Sequence, residues 1–234
     1  SYSFVPVGNY NGAVPVASYT LSDGTTTDTA TLTIAIAAVN DGPVGVDDGF
    51  STNEDTTSLA LDLVGNDSDV DGDVLSLQSI NGTALTPGTA QTIAVSNGVV
   101  NVSALGVVTF SPAGNYNGAV SFDYVVSDGT TTDTATVSGT VVAVNDGPVG
   151  VADSGSAIED TTLSVNAVSG LLGNDSDVDG DALLVTGFTI AGDATVYGAG
   201  NTATIVGVGS LTINGDGSYS FVPVGNYNGA VPVA

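Results

Sequence analysis

Short stretches of alternating apolar and polar residues run through the whole chain, and Gly, Asn and Asp clusters interrupt them roughly every 8–12 residues. Residues 30–37 (ATLTIAIA) and 121–126 (SFDYVV) show the period of two that sends successive side chains to opposite faces of a sheet. Val, Thr, Ile and Tyr dominate these patches, and they are the residue types that fit a pleated, half-buried surface. Sustained helical periodicity is absent. Over residues 40–144 the pattern predicts strand A at 44–53, B at 57–64, C at 74–80, and one or two strands across 91–102. Strand E is expected at 106–111, F at 119–127 and G at 133–142.

Seven or so strands in about 100 residues predict an Ig-like Greek-key β-sandwich. The chain has no Cys and no Trp, so the disulfide and buried indole of antibody domains are excluded and only the broader Ig-like architecture is left.

Internal repetition then sets the organisation. The string VNDGPVGV begins at Val39 and again at Val144, 105 residues later, and SDGTTTDTAT begins at Ser22 and at Ser127 with the same spacing. GNDSDVDGD begins at Gly65 and at Gly173, 108 apart, and GNYNGAV begins at Gly8, Gly114 and Gly225. A period of this size is a domain and not a solenoid unit. A stricter repeat overlies it: residues 1–17 recur unchanged as 218–234, an offset of 217. Two alternating domain types with that two-domain period account for both repeats. The expected division is a C-terminal part (strands E–G) at 1–39, a complete repeat at 40–144, and an N-terminal part (strands A–E and the start of F) at 145–234. Both partial repeats would be finished by the continuation of a longer polymer or by strands donated from a neighbouring subunit, and the 217-residue identity favours continuation.

Charge changes the picture more than composition does. The chain holds 25 acidic residues and no Lys, Arg or His, a formal charge of −25, so no internal side-chain ion pair can form. Nothing is available to neutralise phosphates, which argues against nucleic acid and against insertion at anionic membrane surfaces. Hydrophobic content of 42% separates it from acidic disordered chains. An active site would have to rest on carboxylates and hydroxyls alone. Paired carboxylates can hydrolyse glycosides, but these acids recur in turns at a fixed register, so an enzyme is not expected.

Asp67, Asp69, Asp71 and Asp73 fall within seven residues, and Asp175, Asp177, Asp179 and Asp181 repeat them. Clustered carboxylates repel unless a cation sits among them, and calcium takes six to eight oxygens at about 2.3–2.6 Å. The run DxDxDG opens as an EF-hand loop does. Position twelve, however, holds Gln78 or Thr186 in place of the bidentate acid, and flanking helices are missing, so an EF-hand is excluded. A salt-adapted surface would scatter its acids instead of fixing their register. Calcium is the expected ligand.

The ordered series YVVSDG (124–129), VNDGPVGV (144–151), EDT (159–161) and NDSDVDGD (174–181), with NYNG in place of an NFxG turn, resembles the cadherin-like and Ig-like tandem repeats of giant calcium-binding bacterial surface adhesins. The resemblance covers essentially the whole chain. It implies tandem Ig-like (cadherin-like) Greek-key β-sandwiches joined end to end, rigidified by calcium, outside the cell. On that arrangement Glu54, Asn145, Asp146, Asp175, Asp177, Asp179 and Asp181 map to one junction. Asn40, Asp41, Asp67, Asp69, Asp71 and Asp73 map to an earlier one, whose Glu would precede the chain. Asp128 shares the end of the domain that carries Asp67–Asp73, while Asp55 and Glu159 belong to the EDT turns.

A spacer in a surface adhesin and the body of an extracellular filament both fit, with neighbouring identical repeats or subunits as partners. A carbohydrate-binding module is a third reading, which would need an aromatic platform; Tyr2, Tyr10, Tyr116 and Tyr227 are expected to plug domain ends instead, and the Asn and Gly of NYNG to shape turns. Sequons at Asn66, Asn81, Asn101 and Asn174 and the Thr-rich hairpin tips at 25–27 and 130–132 are possible glycan positions.

Trypsin should not cut the chain whether folded or unfolded, because it has no Lys or Arg. Chymotrypsin should cut at Tyr and Phe more slowly in calcium than in EGTA. Equal rates would remove support for calcium-dependent rigidity.

Overall fold

The computed structural model of the protein describes residues 2–232. The chain forms two compact units, Ser1–Val144 and Asn145–Ala234. The first begins with β1 (Gly12–Ala13), β2 (Ala17–Ser22), β3 (Thr27–Leu32) and β4 (Ala35–Ile36). β1 pairs with β4, and β2 with β3 as an antiparallel hairpin.

The rest of this unit is a two-layer sandwich built from β5 (Asp48–Asn53), β6 (Ser76–Ile80), β7 (Thr83–Ala84), β8 (Gln91–Val95), β9 (Gly98–Val102), β10 (Val108–Pro112), β11 (Gly118–Ser127) and β12 (Thr132–Val142). One sheet has the order β5-β12-β11-β6-β7 and the other β10-β9-β8. All pairings are antiparallel except β5 with β12, which run parallel from Asp48↔Val137 to Asn53↔Val142.

The alternation along β11 and β12 translates directly into the core. Val120, Phe122, Tyr124 and Val126 of β11 are buried, as are Ala135, Val137 and Val141 of β12, and their intervening neighbours face outward. Ile80 of the neighbouring β6 joins them in the same sheet, and across the sandwich the core includes Val100 and Phe110. The Phe110 ring stacks on Phe122 with centroids 6.4 Å apart and meets Phe50 at 5.3 Å. Gly139 packs closely against Phe50 and Val120 because it has no side chain; a Cβ there would run into both.

Two expected strands differ. Residues 57–64 form no strand; they meet β10 through an isolated bridge, Leu61↔Val108, and through the Ser58 N–H, which donates to the Phe110 carbonyl at 2.8 Å. The Ser58 hydroxyl accepts the Phe110 N–H at 2.9 Å, taking the donor that a regular neighbouring strand would have used. Strand A starts at Asp48 and not at 44, because Val44 bridges to Ser68 instead. The stretch 91–102 holds two strands, turned at Asn97 with φ 61°. β10 begins two residues later than expected, after the turn that needs Gly106 at φ 81°.

The second unit contains β13 (Leu163–Val165), β14 (Gly187–Phe188), β15 (Tyr197–Gly198), β16 (Thr202–Ile205), β17 (Gly209–Ile213) and β18 (Tyr219–Pro223). One sheet has the order β13-β18-β17-β16, and β14 pairs only with β15. Phe188, Ile190, Ala203, Ile205, Ile213 and Phe221 form a smaller core.

The three NYNG turns adopt one geometry. Asn9, Asn115 and Asn226 lie at φ 56–60°, and the tyrosine hydroxyls of Tyr10, Tyr116 and Tyr227 donate to the carbonyls of Ala13, Ala119 and Ala230 at 2.6–2.7 Å. These tyrosines lock their own turns.

Phe110→Ala should destabilise the central sandwich by about 3–5 kcal/mol, the range for removing a fully buried aromatic ring. Val142→Ala, at a position 45% exposed, should stay within about 0.5 kcal/mol of the parent. Urea titration followed by tyrosine fluorescence measures both.

Candidate metal centre

The loop at 65–73 is shaped by its own aspartates. Asp69 Oδ1 accepts the backbone N–H of Asp71 at 2.8 Å and of Asp73 at 3.3 Å, winding the chain tightly around one carboxylate. Gly72 sits at φ 81°, where a side chain would be strained. A two-way bridge between Val44 and Ser68 (2.7 and 3.1 Å) ties the 39–46 linker to this loop. The Asp41 N–H donates to Asp71 Oδ2 at 2.7 Å, and Asn40 Nδ2 donates to Asp128 Oδ2 at 2.8 Å.

The result is that carboxylate oxygens of Asp69, Asp73 and Asp128 lie within 4.8 Å of one another. Two oxygens on opposite sides of a calcium ion at about 2.4 Å stand about 4.8 Å apart, so the three fit around one such ion. Asp69 Oδ2 is buried and has no hydrogen-bond partner, the state expected of an oxygen that needs a cation. Asp128 is held ionised: Asn40, then the N–H groups of Thr131 and Thr130, keep its carboxyl well below the usual carboxylate range. The all-oxygen, all-acidic donor set suits a hard ion such as calcium and not a thiolate- or imidazole-seeking metal.

Other expected ligands go elsewhere. Asp67 points inward: its Oδ1 accepts the Val46 N–H at 2.8 Å and the Tyr124 hydroxyl at 2.9 Å, while Oδ2 is buried without a partner. Tyr124 is completely buried, and burial, with the hydrogen bond to Asp67 and the nearby negative charges, pushes its phenol up. Asp48 lies beside this pair, and burial raises its carboxyl. Asp48 was not among the residues singled out in the sequence, and Tyr124 stood there only as the first residue of YVVSDG, with no role assigned. Tyr124 shares the inward register of Phe122 and Val126, and a buried phenol needs a partner for its hydroxyl, which is the signal that points to such a pair.

Glu54 is 2% exposed; Oε1 accepts the Val144 N–H at 2.6 Å and Oε2 has no partner. Asp55, at φ 54°, uses Oδ1 to hold the Asn115 N–H at 3.1 Å, so it anchors the neighbouring NYNG turn. In the second unit Asp160 does the same for Asn226 at 2.8 Å, while Glu159 is exposed.

The second unit rebuilds the loop. Asp177 Oδ1 accepts the N–H of Asp179 (3.0 Å) and of Asp181 (3.3 Å), and Asp146 N–H donates to Asp179 Oδ2 at 2.7 Å. Asn145 Nδ2 donates to the Asp146 carbonyl at 2.7 Å. Asp175 Oδ1 accepts the Val151 N–H at 2.7 Å, as Asp67 accepts that of Val46. The hydrogen-bond pattern is therefore written into the repeated sequence.

Residues 40–140 match the bacterial Ig domain family, and residues 145–233 match the bacterial cadherin-like domain family. The fold is accordingly that of Ig-like and cadherin-like β domains in tandem over the matched residues. No curated protein matches the chain. Among solved structures it is similar to mouse protocadherin-24 EC1-3, at 16% identity and a TM-score of 0.42, over 90% of this chain and 67% of that one. It is also similar to an endo-fucoidan hydrolase of glycoside hydrolase family 107, at 18% identity and a TM-score of 0.31, over 89% of this chain. The chain spans 30% of the length of that enzyme. Among the described residues no helix is long and apolar enough to cross a membrane.

Asp133, outside the cluster, supplies a pH test. Its carboxylate accepts the N–H of Gly45 at 2.9 Å and of Thr134 at 2.8 Å, and these bonds lower its pKa. A lowered folded-state pKa gives stability that is present above the unfolded value of about 3.9 and is lost as pH falls through the folded one. Asp133→Asn should therefore lower the melting temperature at neutral pH, and the difference from the parent should shrink below about pH 3.

Proposed function

We propose that the chain is a calcium-rigidified structural stretch of an extracellular or surface-attached bacterial protein, a spacer that holds other parts of an adhesin or filament at a distance. The observation that carries this reading is the convergence of Asp69, Asp73 and Asp128, with a buried Asp69 oxygen that has no hydrogen-bond partner among the described residues. No residue of the chain can supply the positive charge, because it has no Lys, Arg or His. Bound calcium supplies that charge and a set of oxygen-directed bonds.

Asp69, Asp73 and Asp128 would hold the ion, with Asn40, Asp41 and Asp71 fixing the linker against the loop. Asp177 and Asp181, assisted by Asp179, Asn145 and Asp146, are the corresponding set in the second unit. Asp67 and Asp175 act beneath the loops, orienting them. Glu54 is proposed as an additional ligand on the strength of its buried Oε2, with Asp55 and Glu159 contributing to turn geometry and charge at that end. A sugar-binding platform is less well supported, since the NYNG tyrosine hydroxyls are committed to their own turns.

Calorimetric titration should show calcium binding that Asp69→Asn with Asp73→Asn weakens by at least about tenfold, or 1.4 kcal/mol. The matching Asp177→Asn with Asp181→Asn changes should add to this independently, because the two loops share no residue. X-ray scattering should show the particle losing stiffness in EGTA, with a lower melting temperature. Identical scattering curves, melting points and heats with and without calcium would overturn the reading.

A further inference from the structure

The central sandwich is open along one side. β5 is an edge strand of the five-stranded sheet and pairs only with β12. Just past its end, the Glu54 N–H donates to the Val142 carbonyl at 2.9 Å. Peptide groups alternate in direction along a strand, so those of Gly49 and Ser51 turn away from β12. The facing segment, 57–64, sends the N–H groups of Ser58 and Leu61 the other way, to Phe110 and Val108 of β10. Between these two backbones lies a groove of about 250 Å³.

Phe50, Leu61, Leu63 and Val137 form the apolar floor of this groove, and Leu59 stands on its rim, 89% exposed. Its charged groups are Asp48 and Asp62. Asp48 Oδ2 is buried and has no hydrogen-bond partner among the described residues. Burial raises the Asp48 carboxyl, and the nearby charges of Asp67 and Asp62 raise it further. A buried carboxylate of this kind is costly until a cation is set against it. An edge strand with free peptide groups is in turn a template for another strand. The groove falls below the roughly 300–1,000 Å³ of pockets that enclose drug-sized ligands, so it suits the alternate side chains of one extended segment.

We infer that the groove between β5 and residues 57–64 docks an extended segment of a different protein, one with β-branched side chains and a Lys or Arg. The segment adds to the free edge of β5, accepting the Ser51 N–H and donating to the Gly49 and Ser51 carbonyls. Alternate side chains settle on Phe50 and Leu61 under the rim of Leu59, and the cation meets Asp48 and Asp62. Charge complementarity decides the occupant. A strand from a second copy of this chain is excluded, because it has no Lys, Arg or His and would bring more acid to the groove. The groove shares no residue with the Asp69, Asp73 and Asp128 cluster, so this docking site stands apart from the calcium reading.

The test is a titration of the whole isotope-labelled chain, in calcium buffer at about 0.15 M salt, with a panel of synthetic hexapeptides followed by NMR. In each peptide an arginine precedes alternating valine and threonine, or isoleucine and serine, and a matched peptide carries glutamate in its place. The arginine peptides should bind saturably and shift the amide signals of Gly49, Ser51 and Ala60. The glutamate peptides should bind at least about tenfold more weakly, the loss expected for a hydrogen bond to a charged group. Variants in the groove separate docking from general attraction to an acidic chain. Ser51→Pro removes an N–H that faces away from β12 and should weaken binding by about tenfold or more. Asp62→Lys, at an exposed side chain, should reverse the preference between arginine and glutamate peptides without lowering the melting temperature, which keeps the test sound if Ser51→Pro fails to fold. An absence of saturable binding by every arginine peptide, shifts spread over the acidic loops, or an unchanged preference in Asp62→Lys would each overturn the inference.

Discussion

A chain with 25 carboxylates and no cationic side chain must satisfy every acid with a hydrogen-bond donor or with an ion taken from solution. That constraint explains most of the local structure. Asp69 and Asp177 wind their loops around backbone N–H groups, Asp23 and Asp128 grip the hairpin turns, and Asp55 and Asp160 hold the NYNG turns. Each uses the short side chain of Asp to reach the backbone a few residues away or across a turn, where Glu would overshoot. The oxygens left over after this internal accounting, on Asp69, Asp67, Asp48 and Glu54, are the buried ones without partners. They concentrate the electrostatic cost of the fold at a few places.

The central sandwich shows how the repeats tolerate this. Its aromatic centre joins the rings of Phe50, Phe110 and Phe122, and Tyr124 of the same core meets the Asp67 carboxylate through its hydroxyl, with Asp48 beside the pair. Tyr124 thus links the core to the acidic loop. A shift of β11 would move the loop with it, so the clustered carboxylates of Asp69, Asp73 and Asp128 inherit the rigidity of a packed sheet.

Strands β11 and β12 were legible because one face is apolar from Val120 to Val126 in β11 and from Ala135 to Val141 in β12, with the period of two unbroken along both. The 57–64 segment was not, since its alternation is equally good and only the Ser58 hydroxyl bonding to Phe110, 52 residues away, breaks the ladder. The loop DSDVDGD was legible as an oxygen-rich constellation, but the division of labour within it was not. Asp67 and Asp69 are two residues apart and would share a face of an extended strand. The tight turn around Asp69 ends that period, so Asp67 faces Tyr124 and Asp69 joins Asp73 and Asp128. Spacing within the loop carries no record of a tyrosine 57 residues downstream.

The parallel pairing of β5 with β12 has a mechanical consequence. β5 enters the central sandwich near its start, β12 leaves near its end, and the two run side by side in one direction through six residue pairs. Traction on the two ends of this sandwich therefore slides β5 against β12 along their length. The ladder is loaded in shear, with its rungs sharing the load, and cannot be unzipped one rung at a time. Yielding under such a load requires several hydrogen bonds and the Phe50 contact with Phe110 to fail together.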